Sequence, residues 1–251
     1  MILTLDVDLP PGALLPAVGP DAAHMAAERG VVWFSANPPG CRVADGRVEG
    51  IEAVGGGSVA EPVEENTGNC RHVVANGQAY LSLTDRSACG FSAEIGSVSG
   101  VLSFAVIFAA PKGPARTLAA VSAAGARDYI ALTQDARNLT LARRNGAEIG
   151  VRCPPLDQPV LVLARVDADG LWLAQGDGPP VHAADPEALP TGPVAGFIGC
   201  RRQRAGLYKT LGAGHLYDIA FMPEIDVFSP ALDTLRAAMV ARTEDIGAYA
   251  V

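Results

Sequence analysis

Charge, aromatic side chains and long apolar runs are all scarce in this 251-residue chain. Charged residues make up 18% of the sequence and leave a formal net charge of −8, which argues against the basic face that duplex nucleic acid requires. No uninterrupted apolar run reaches the roughly 20 residues that a membrane-spanning helix needs, so we expect no membrane insertion. Aromatic residues make up only 6%, which limits the supply of stacking platforms for sugars.

Cysteine pairs are also missing. None of the five cysteines belongs to a C-x-x-C motif, which argues against a zinc site, and their wide spacing favours thiols in small apolar niches. The N-terminus, Met-Ile-Leu-Thr-Leu-Asp-Val-Asp, has no basic region and reaches an acidic residue at Asp6, so we predict no signal peptide. We therefore expect a chain made in a reducing cytoplasm, with neither a metal nor a cofactor.

The sequence does contain many short apolar runs separated by turn residues, and it is rich in glycine (28) and proline (19). Within Val160–Gly178, two apolar runs flank Asp167–Gly170, and Asp-Gly is a strong hairpin signal because glycine takes the positive φ of tight turns. Val101–Phe108 carries no charge, which indicates a strand buried on both faces. Val194–Gly199 and Gly214–Met222 are further strands. The predicted fold is all-β, with antiparallel strands.

The two ends of the chain have a different pattern. Residues 1–30 form an N-terminal arm with an alanine-rich helix predicted between Asp21 and Gly30. This arm either docks the chain onto another subunit or packs on the domain formed by residues 31–251. Near the other end, Ser229 as N-cap and Pro230 at the first helical position predict a C-terminal helix.

Four stretches of this pattern resemble the concanavalin A-like lectin/glucanase jelly rolls, and within them the laminin-G-like domains. They are Val31–Asn37 with its following hairpin, Val101–Phe108, Leu161–Gly178, and Gly214–Met222 with the helix that follows it. Asp177-Gly178 stands where Asn-Gly is usual in such domains. The resemblance covers residues 31–245 and implies a jelly-roll β-sandwich with a short N-terminal arm and a C-terminal helix.

A laminin-G-like domain behind a short arm resembles the spike or fibre proteins of tailed phages and gene transfer agents. The resemblance implies a virion component for host attachment: a non-catalytic, structural and lectin-like homo-oligomer that binds cell-surface polysaccharide and other subunits of the particle. Such a chain would be made in the bacterial cytoplasm and would act extracellularly after release. The alternatives are a purely structural subunit without glycan binding and a glycan-active hydrolase.

Catalytic patterns are weak. Glucanases of this superfamily use carboxylates that alternate along one strand as Glu-x-Asp-x-Glu. The nearest match places Phe228 where the third carboxylate would follow Glu224 and Asp226. There is no Gly-x-Ser-x-Gly motif, and of the four scattered histidines only His215, inside a predicted strand, is a candidate base. We predict no catalytic residue.

Three aspartates crowd the predicted hairpin, namely Asp167, Asp169 and Asp177. Carboxylate oxygens in such a cluster could serve as calcium ligands. Aspartate is also a common turn residue, because its side chain accepts hydrogen bonds from nearby backbone N–H groups. We predict that these residues form turns and that there is no metal site.

Aromatic rings supply the first candidate carbohydrate site, since the face of a pyranose stacks on a ring while its hydroxyls need polar neighbours. Trp172 follows the Asp-Gly turn, and strand alternation turns Leu171 and Leu173 to the opposite face. Trp33 and Tyr80 are the alternative stacking platforms. Burial in the core is the alternative role for Trp172 and for Trp33.

The second candidate is the one basic cluster in an acidic chain. Forked arginine contacts in such a loop could bind an anionic polysaccharide or an acidic neighbouring subunit. A solvated loop that balances nearby acidic residues is the alternative. The residues of this candidate site are Arg201, Arg202, Arg204, Tyr208 and Lys209.

Overall fold

A computed structural model describes residues 22–37, 40–63, 69–85, 90–123, 128–153, 157–187, 189–201 and 212–248. The two α-helices are α1 (Ala22–Ala27) and α2 (Asp233–Ala248), the latter preceded by one 3-10 turn over Pro230–Leu232. The strands are β1 (Val32–Ser35), β2 (Cys41–Ala44), β3 (Arg47–Glu52), β4 (Val59–Pro62), β5 (Cys70–Ala75), β6 (Gln78–Leu83), β7 (Phe91–Val98), β8 (Val101–Ala109), β9 (Arg116–Ala123), β10 (Ile130–Gln134), β11 (Asn138–Arg143), β12 (Glu148–Arg152), β13 (Val160–Asp167), β14 (Gly170–Gln175), β15 (Val181–Ala184), β16 (Gly192–Ile198) and β17 (Gly214–Pro223).

The strands form two antiparallel layers. Sheet A has the strand order β15–β14–β13–β8–β17. The other edge of β17 pairs with β1 and with β6. Beyond β6 the sheet continues in the order β5, β3 and β2. Sheet B runs β12–β11–β10–β9–β16–β7–β4, and the pairing of β3 with β4 joins the two layers. The predicted all-β, antiparallel jelly-roll architecture with its two terminal helices is confirmed.

The core lies between the two sheets. Every residue from Leu102 to Ala109 in β8 is buried, as the uncharged run predicts. The rings of Phe104 and Phe221 are tilted by 41° with centroids 6.4 Å apart, and both side chains are fully buried. Gly196 of β16 faces the same ring, since a Cβ built on it would lie 2.7 Å from Cζ of Phe221. Side chains of both sheets thus interdigitate in one continuous core.

Helices α1 and α2 cover part of the outer face of sheet A. Beneath them a second apolar cluster includes Trp33, Ile107, Leu161 and Met239. Ser229 caps the 3-10 turn before α2 by accepting a hydrogen bond from the backbone of Ala231, in agreement with the sequence pattern. Three alanines of α1 are buried as well, namely Ala22, Ala23 and Ala26. Among the described residues no helix is long and apolar enough to cross a membrane.

Turn dipeptides position several hairpins as predicted. Asp45 and Gly46 both have positive φ, at 52° and 74°, between β2 and β3. The carboxylate of Asp167 accepts hydrogen bonds from the backbone N–H groups of Asp169 (2.9 Å) and Gly170 (3.1 Å) between β13 and β14. Its turn-forming role is therefore confirmed.

Candidate functional site

A β-bulge in β17 shapes the outer face of sheet A. The pairing of β17 with β8 shifts register between Leu216 and Asp218, so Tyr217 is an extra residue in the ladder. Leu216 and Ile219 point into the core between the sheets, whereas Tyr217 packs in the outer cluster and Asp218 contacts the outer residue Trp33. The bulge therefore turns two consecutive side chains to the outer face, which regular alternation forbids.

Three aromatic side chains meet beside this bulge. The rings of Tyr80 (β6) and His215 stack with centroids 4.1 Å apart and planes 22° apart, and Tyr217 lies 5.7 Å from Tyr80 at 56°. They line a cavity of about 180 Å³, which we call the aromatic pocket. Asn76, Gln78 and Asp157 add hydrogen-bonding groups to its lining. The pocket combines ring faces with polar neighbours.

Burial shifts the protonation equilibria of two residues in the aromatic pocket. Desolvation lowers the pKa of His215, and the positive charge of Lys112 lowers this pKa further, so the imidazole is neutral at pH 7. Desolvation raises the pKa of Tyr217, and Tyr80 contributes to the same shift. Both side chains are therefore uncharged at neutral pH.

A buried ion pair lies next to the aromatic pocket. The carboxylate of Asp218, 3% exposed, accepts hydrogen bonds from Nε of Arg242 (3.1 Å) and from Nε1 of Trp33 (3.2 Å). Arg242 also donates through Nη1 to Oε1 of Gln78 (3.0 Å), which lines the aromatic pocket. The ion pair thus connects α2, β1 and the pocket wall in one network.

A larger cavity, of about 440 Å³, lies on the other side of this ion pair. It is bounded by α1, by Trp33 and by the turn after β3, and Asp218 and Arg242 line it. Nη2 of Arg242 is buried and has no hydrogen-bond partner among the described residues. Because that atom is buried, a ligand in the cavity cannot reach it without movement of the side chain.

Trp172, the predicted stacking residue, lies on the outer face of sheet A with both ring faces in contact with side chains. Its cross-strand neighbours are Arg165 on β13 and His182 on β15. The guanidinium of Arg165 lies 4.2 Å from the ring centroid, and the ring of His182 stacks at 4.1 Å. Because β13 and β15 flank β14 on opposite sides, these two side chains cover opposite faces of the indole. The role of Trp172 in carbohydrate binding stays a prediction.

Arg201 belongs to a different surface. Its guanidinium donates to Oγ1 of Thr117 (3.3 Å) and to the hydroxyl of Tyr129 (3.2 Å). Tyr129 packs in the small cluster on the outer face of sheet B, so Arg201 and Trp172 lie on opposite sides of the sandwich. The other members of the predicted basic cluster lie outside the described residues, namely Arg202, Arg204, Tyr208 and Lys209.

Comparison with known proteins identifies the fold of this chain but no family to which it belongs. No protein-family model matches the chain, and no curated protein matches it. Among solved structures, the sialidase of Trypanosoma rangeli in complex with sialic acid matches over 87% of this chain, with a TM-score of 0.54 and 15% sequence identity. The chain has the concanavalin A-like lectin/glucanase fold.

Further matches have similar coverage. The same sialidase as a covalent intermediate with 2,3-difluorosialic acid has a TM-score of 0.54 and 10% identity, covering 85% of this chain and 33% of that chain. The binding domain of botulinum neurotoxin serotype D/C has a TM-score of 0.48 and 7% identity over 86% of this chain and 51% of its own. The chain spans about a third of the sialidase chains that it matches.

The carboxylates nearest to the glucanase pattern are both engaged in local structure. Glu224, at a φ of 58°, accepts hydrogen bonds from the backbone N–H groups of Ser99 and Gly100, and the Ser99 bond contributes most to lowering its pKa. Asp226 accepts hydrogen bonds from Arg165 (2.9 Å) and from the backbone of Phe228 (2.9 Å). Within the described residues, no three His, Cys, Asp or Glu side chains form a group that could hold a metal ion.

Two half-buried thiols that pack against the main core are poor nucleophiles. Burial raises the pKa of Cys41 to about 12, and the negative charge of Asp218 adds to this shift. Burial alone raises the pKa of Cys153 to about 11. Both thiols therefore stay protonated at neutral pH, and a protonated thiol is weakly reactive.

Sequence reasoning singled out Tyr80 and His215 separately and missed the residues that join them into a pocket. Gln78 follows the Asn76-Gly77 turn, and a polar residue there is ordinary for a hairpin. Asp157 and Ile246 come from distant segments. No local signal connects these positions, because their proximity depends on the bulge and on the path of α2 across sheet A.

Proposed function

We propose that this chain is a non-catalytic carbohydrate-binding protein whose ligand occupies the aromatic pocket. The observation that carries the proposal is the stack of Tyr80 on His215, with Tyr217 tilted against it and polar groups around them. A sugar has apolar ring faces and a hydroxyl rim, so it needs both kinds of partner in one place.

The size and charge of the aromatic pocket support the same ligand class. Its volume of about 180 Å³ is below the roughly 300–1,000 Å³ typical of drug-sized ligands, which suits one sugar ring. Asn76 and Gln78 carry amide groups that both donate and accept hydrogen bonds, and Asp157 accepts them. The neutral His215 can accept or donate in the same way without adding charge.

The fold gives independent support. The sialidase that shares it over 34% of its own chain was solved in complex with sialic acid, so a larger protein that contains this fold binds a sugar. The hypothesis of a non-catalytic protein is supported by Glu224 and Asp226. The carboxylate of Glu224 accepts a hydrogen bond from a backbone N–H group, and that of Asp226 accepts one from Arg165. These contacts give both carboxylates a role in local structure.

The further proposal is a spike or fibre subunit that attaches a phage-like particle to its host. It is supported by the sequence resemblance of residues 31–245 to laminin-G-like domains. In this proposal the chain is a homo-oligomer, binds other subunits of the particle and acts outside the cell after release. Weak single sites would gain strength by multivalency on such a particle.

The test is glycan-array binding of the folded chain, followed by calorimetry of the strongest hits. We expect Tyr80→Ala to remove binding, because it deletes the central ring of the aromatic pocket. Trp172→Phe is the matched control, since it changes an aromatic residue of the same sheet face outside the pocket. If Trp172→Phe loses binding and Tyr80→Ala does not, the ligand binds at Trp172, as predicted from the sequence, and not in the aromatic pocket.

Two other outcomes would contradict the proposal. No glycan binding by a well-folded oligomer would favour the purely structural subunit. Binding confined to acidic polysaccharide, sensitive to salt and lost in the Arg201→Ala/Arg202→Ala/Arg204→Ala variant, would favour the predicted basic cluster as the site.

A further inference from the structure

The aromatic pocket adjoins a second depression through one shared residue. Asp157 lines the pocket and also a groove of about 610 Å³. This groove, which we call the α2 groove, lies between the C-terminal half of α2 and the adjacent ends of β13 and β14. At the helix end Gly247 approaches Gln158 and Pro159, since a Cβ built on it would lie 3.8 Å from each. The two depressions therefore meet around the end of one helix.

The lining of the α2 groove combines apolar surface with hydrogen-bonding groups, which suits the apolar ring faces and the hydroxyls of a sugar chain. Val160, Leu161 and Val240 contribute apolar surface, while Gln158 and Gln175 contribute amides that can donate and accept hydrogen bonds. Thr243 lies on the helix side of the groove, and its hydroxyl donates to the carbonyl of Met239 one turn earlier. Such a surface can hold several consecutive hydroxylated rings.

The charged residues that line the two depressions all have the same sign. Asp157, Asp177 and Glu244 are acidic, and no lysine or arginine lines either depression within the described residues. Lys112 acts on His215 from outside the lining. Carboxylates accept hydrogen bonds from sugar hydroxyls, whereas a carboxylate or sulfate on a glycan would meet like charge, with no cation among the described lining residues to pair with it.

We propose that the aromatic pocket and the α2 groove form one extended site for a linear, uncharged oligosaccharide. The inference rests on the proposed carbohydrate binding and adds its ligand class: a terminal or internal ring stacks in the pocket, and the following rings lie along α2. It differs from the sequence prediction, in which the basic cluster selects an anionic polysaccharide. The two predictions concern opposite sides of the sandwich and can be separated.

Chain length tests the extended site. Calorimetry would use cello-, malto- and manno-oligosaccharides from disaccharide to hexasaccharide on the full chain. Affinity should rise at least about tenfold along the series that binds, because longer ligands gain contacts in the α2 groove. Thr243→Phe should abolish this gain, since it narrows the groove in which the additional rings lie. Ala241→Phe, on the exposed side of the same helix, is the matched control and should keep the gain.

Charge tests the ligand class. The same oligosaccharides with their primary hydroxyls oxidised to carboxylates should bind at least about tenfold more weakly at low salt, where charge repulsion is least screened. Asp177→Asn/Glu244→Gln should reduce this discrimination, whereas Asp45→Asn/Glu49→Gln, which removes two exposed acidic groups elsewhere, should preserve it.

The outcomes separate this inference from the function on which it rests. If no oligosaccharide binds the folded chain, the proposed function fails. If binding depends on Tyr80 but does not rise with chain length, or if the oxidised ligands bind as tightly as the neutral ones, the extended uncharged site is wrong and the proposed function stands.

Discussion

Asp218 is the most deeply buried charged side chain in the network that supports the aromatic pocket, and Arg242 is its only cationic partner among the described residues. Taking a carboxylate out of water is costly unless a cation and hydrogen bonds compensate for it. Trp33 and Arg242 supply that compensation here. The position of Gln78 in the pocket wall depends in turn on Arg242.

Arg242→Met should lower the free energy of unfolding by about 3–5 kcal/mol, the usual cost of leaving one member of a buried pair uncompensated. Urea denaturation measures the change. The double variant Asp218→Asn/Arg242→Met should recover most of it, because no charge is then left buried. Arg42→Ala, which breaks the exposed pair with Glu61, should cost only about 0–1 kcal/mol. Equal losses in Arg242→Met and Arg42→Ala would contradict this account.

His215 should make stability depend on pH in a defined window. Its pKa is lowered in the folded chain, so the unfolded chain binds more protons near and below the ordinary value of about 6.5. The free energy of unfolding should therefore fall as pH decreases through about 6.5 towards the folded pKa. His215→Gln should remove this component. Denaturation curves of both proteins across pH 5–8 test it, and parallel pH profiles would refute it.

A second ionic network connects the end of β15 to sheet B. Asp185, which follows β15 and is 7% exposed, accepts hydrogen bonds from Nε of Arg143 (2.8 Å) and from the backbone of Ala147 (2.9 Å). Arg143 ends β11, and Ala147 precedes β12. Burial opposes ionisation of this carboxyl, but its bonds to Arg143 and the backbone outweigh that effect and lower its pKa.

Asp185→Asn should therefore destabilise the protein by about 1.5–3 kcal/mol, the range for hydrogen bonds to charged groups. Glu187→Gln, at the exposed end of the same network, should cost less than about 1 kcal/mol. Because the pKa of Asp185 is lowered, its contribution is present above the unfolded value of about 3.9 and is lost as pH falls through the folded value. A thermal melting series from pH 7 to pH 3 measures both effects. A pH response that is unchanged in Asp185→Asn would contradict the assignment.

Some strands of the sandwich could be predicted from the sequence and others could not. The strands β8, β13 and β14 were predictable because an uncharged run or an Asp-Gly turn marks each one. The bulge in β17 was not, since Tyr217, Ala220 and Met222 are apolar too and alternation cannot say which side chains face the core. Strand β15 has mostly exposed residues, so its pattern resembles that of a loop. The aromatic pocket was therefore not predictable either, because its formation depends on the bulge in β17.

The position of α1 bears on the predicted boundary between the N-terminal arm and the domain of residues 31–251. Residues 1–30 were predicted as an arm that either docks or packs. Within this stretch, Ala22, Ala23 and Ala26 are buried where α1 contacts β1 and α2, and Ala22 and Ala23 also line the cavity beside Trp33. Residues 1–21 lie outside the described residues, so a docking role of the arm can still reside there.

Two truncations distinguish these roles. Deleting residues 1–30 should lower the free energy of unfolding by about 2 kcal/mol or more, since three buried methyl groups are lost at about 0.8 kcal/mol each. Deleting residues 1–21 should leave stability unchanged within about 0.5 kcal/mol and, if the predicted docking role is correct, should reduce the mass of the oligomer in light scattering. An unchanged mass would remove docking from the first 21 residues. Equal stability of both truncated chains would show that α1 is dispensable for the fold and would restore the original boundary at residue 31.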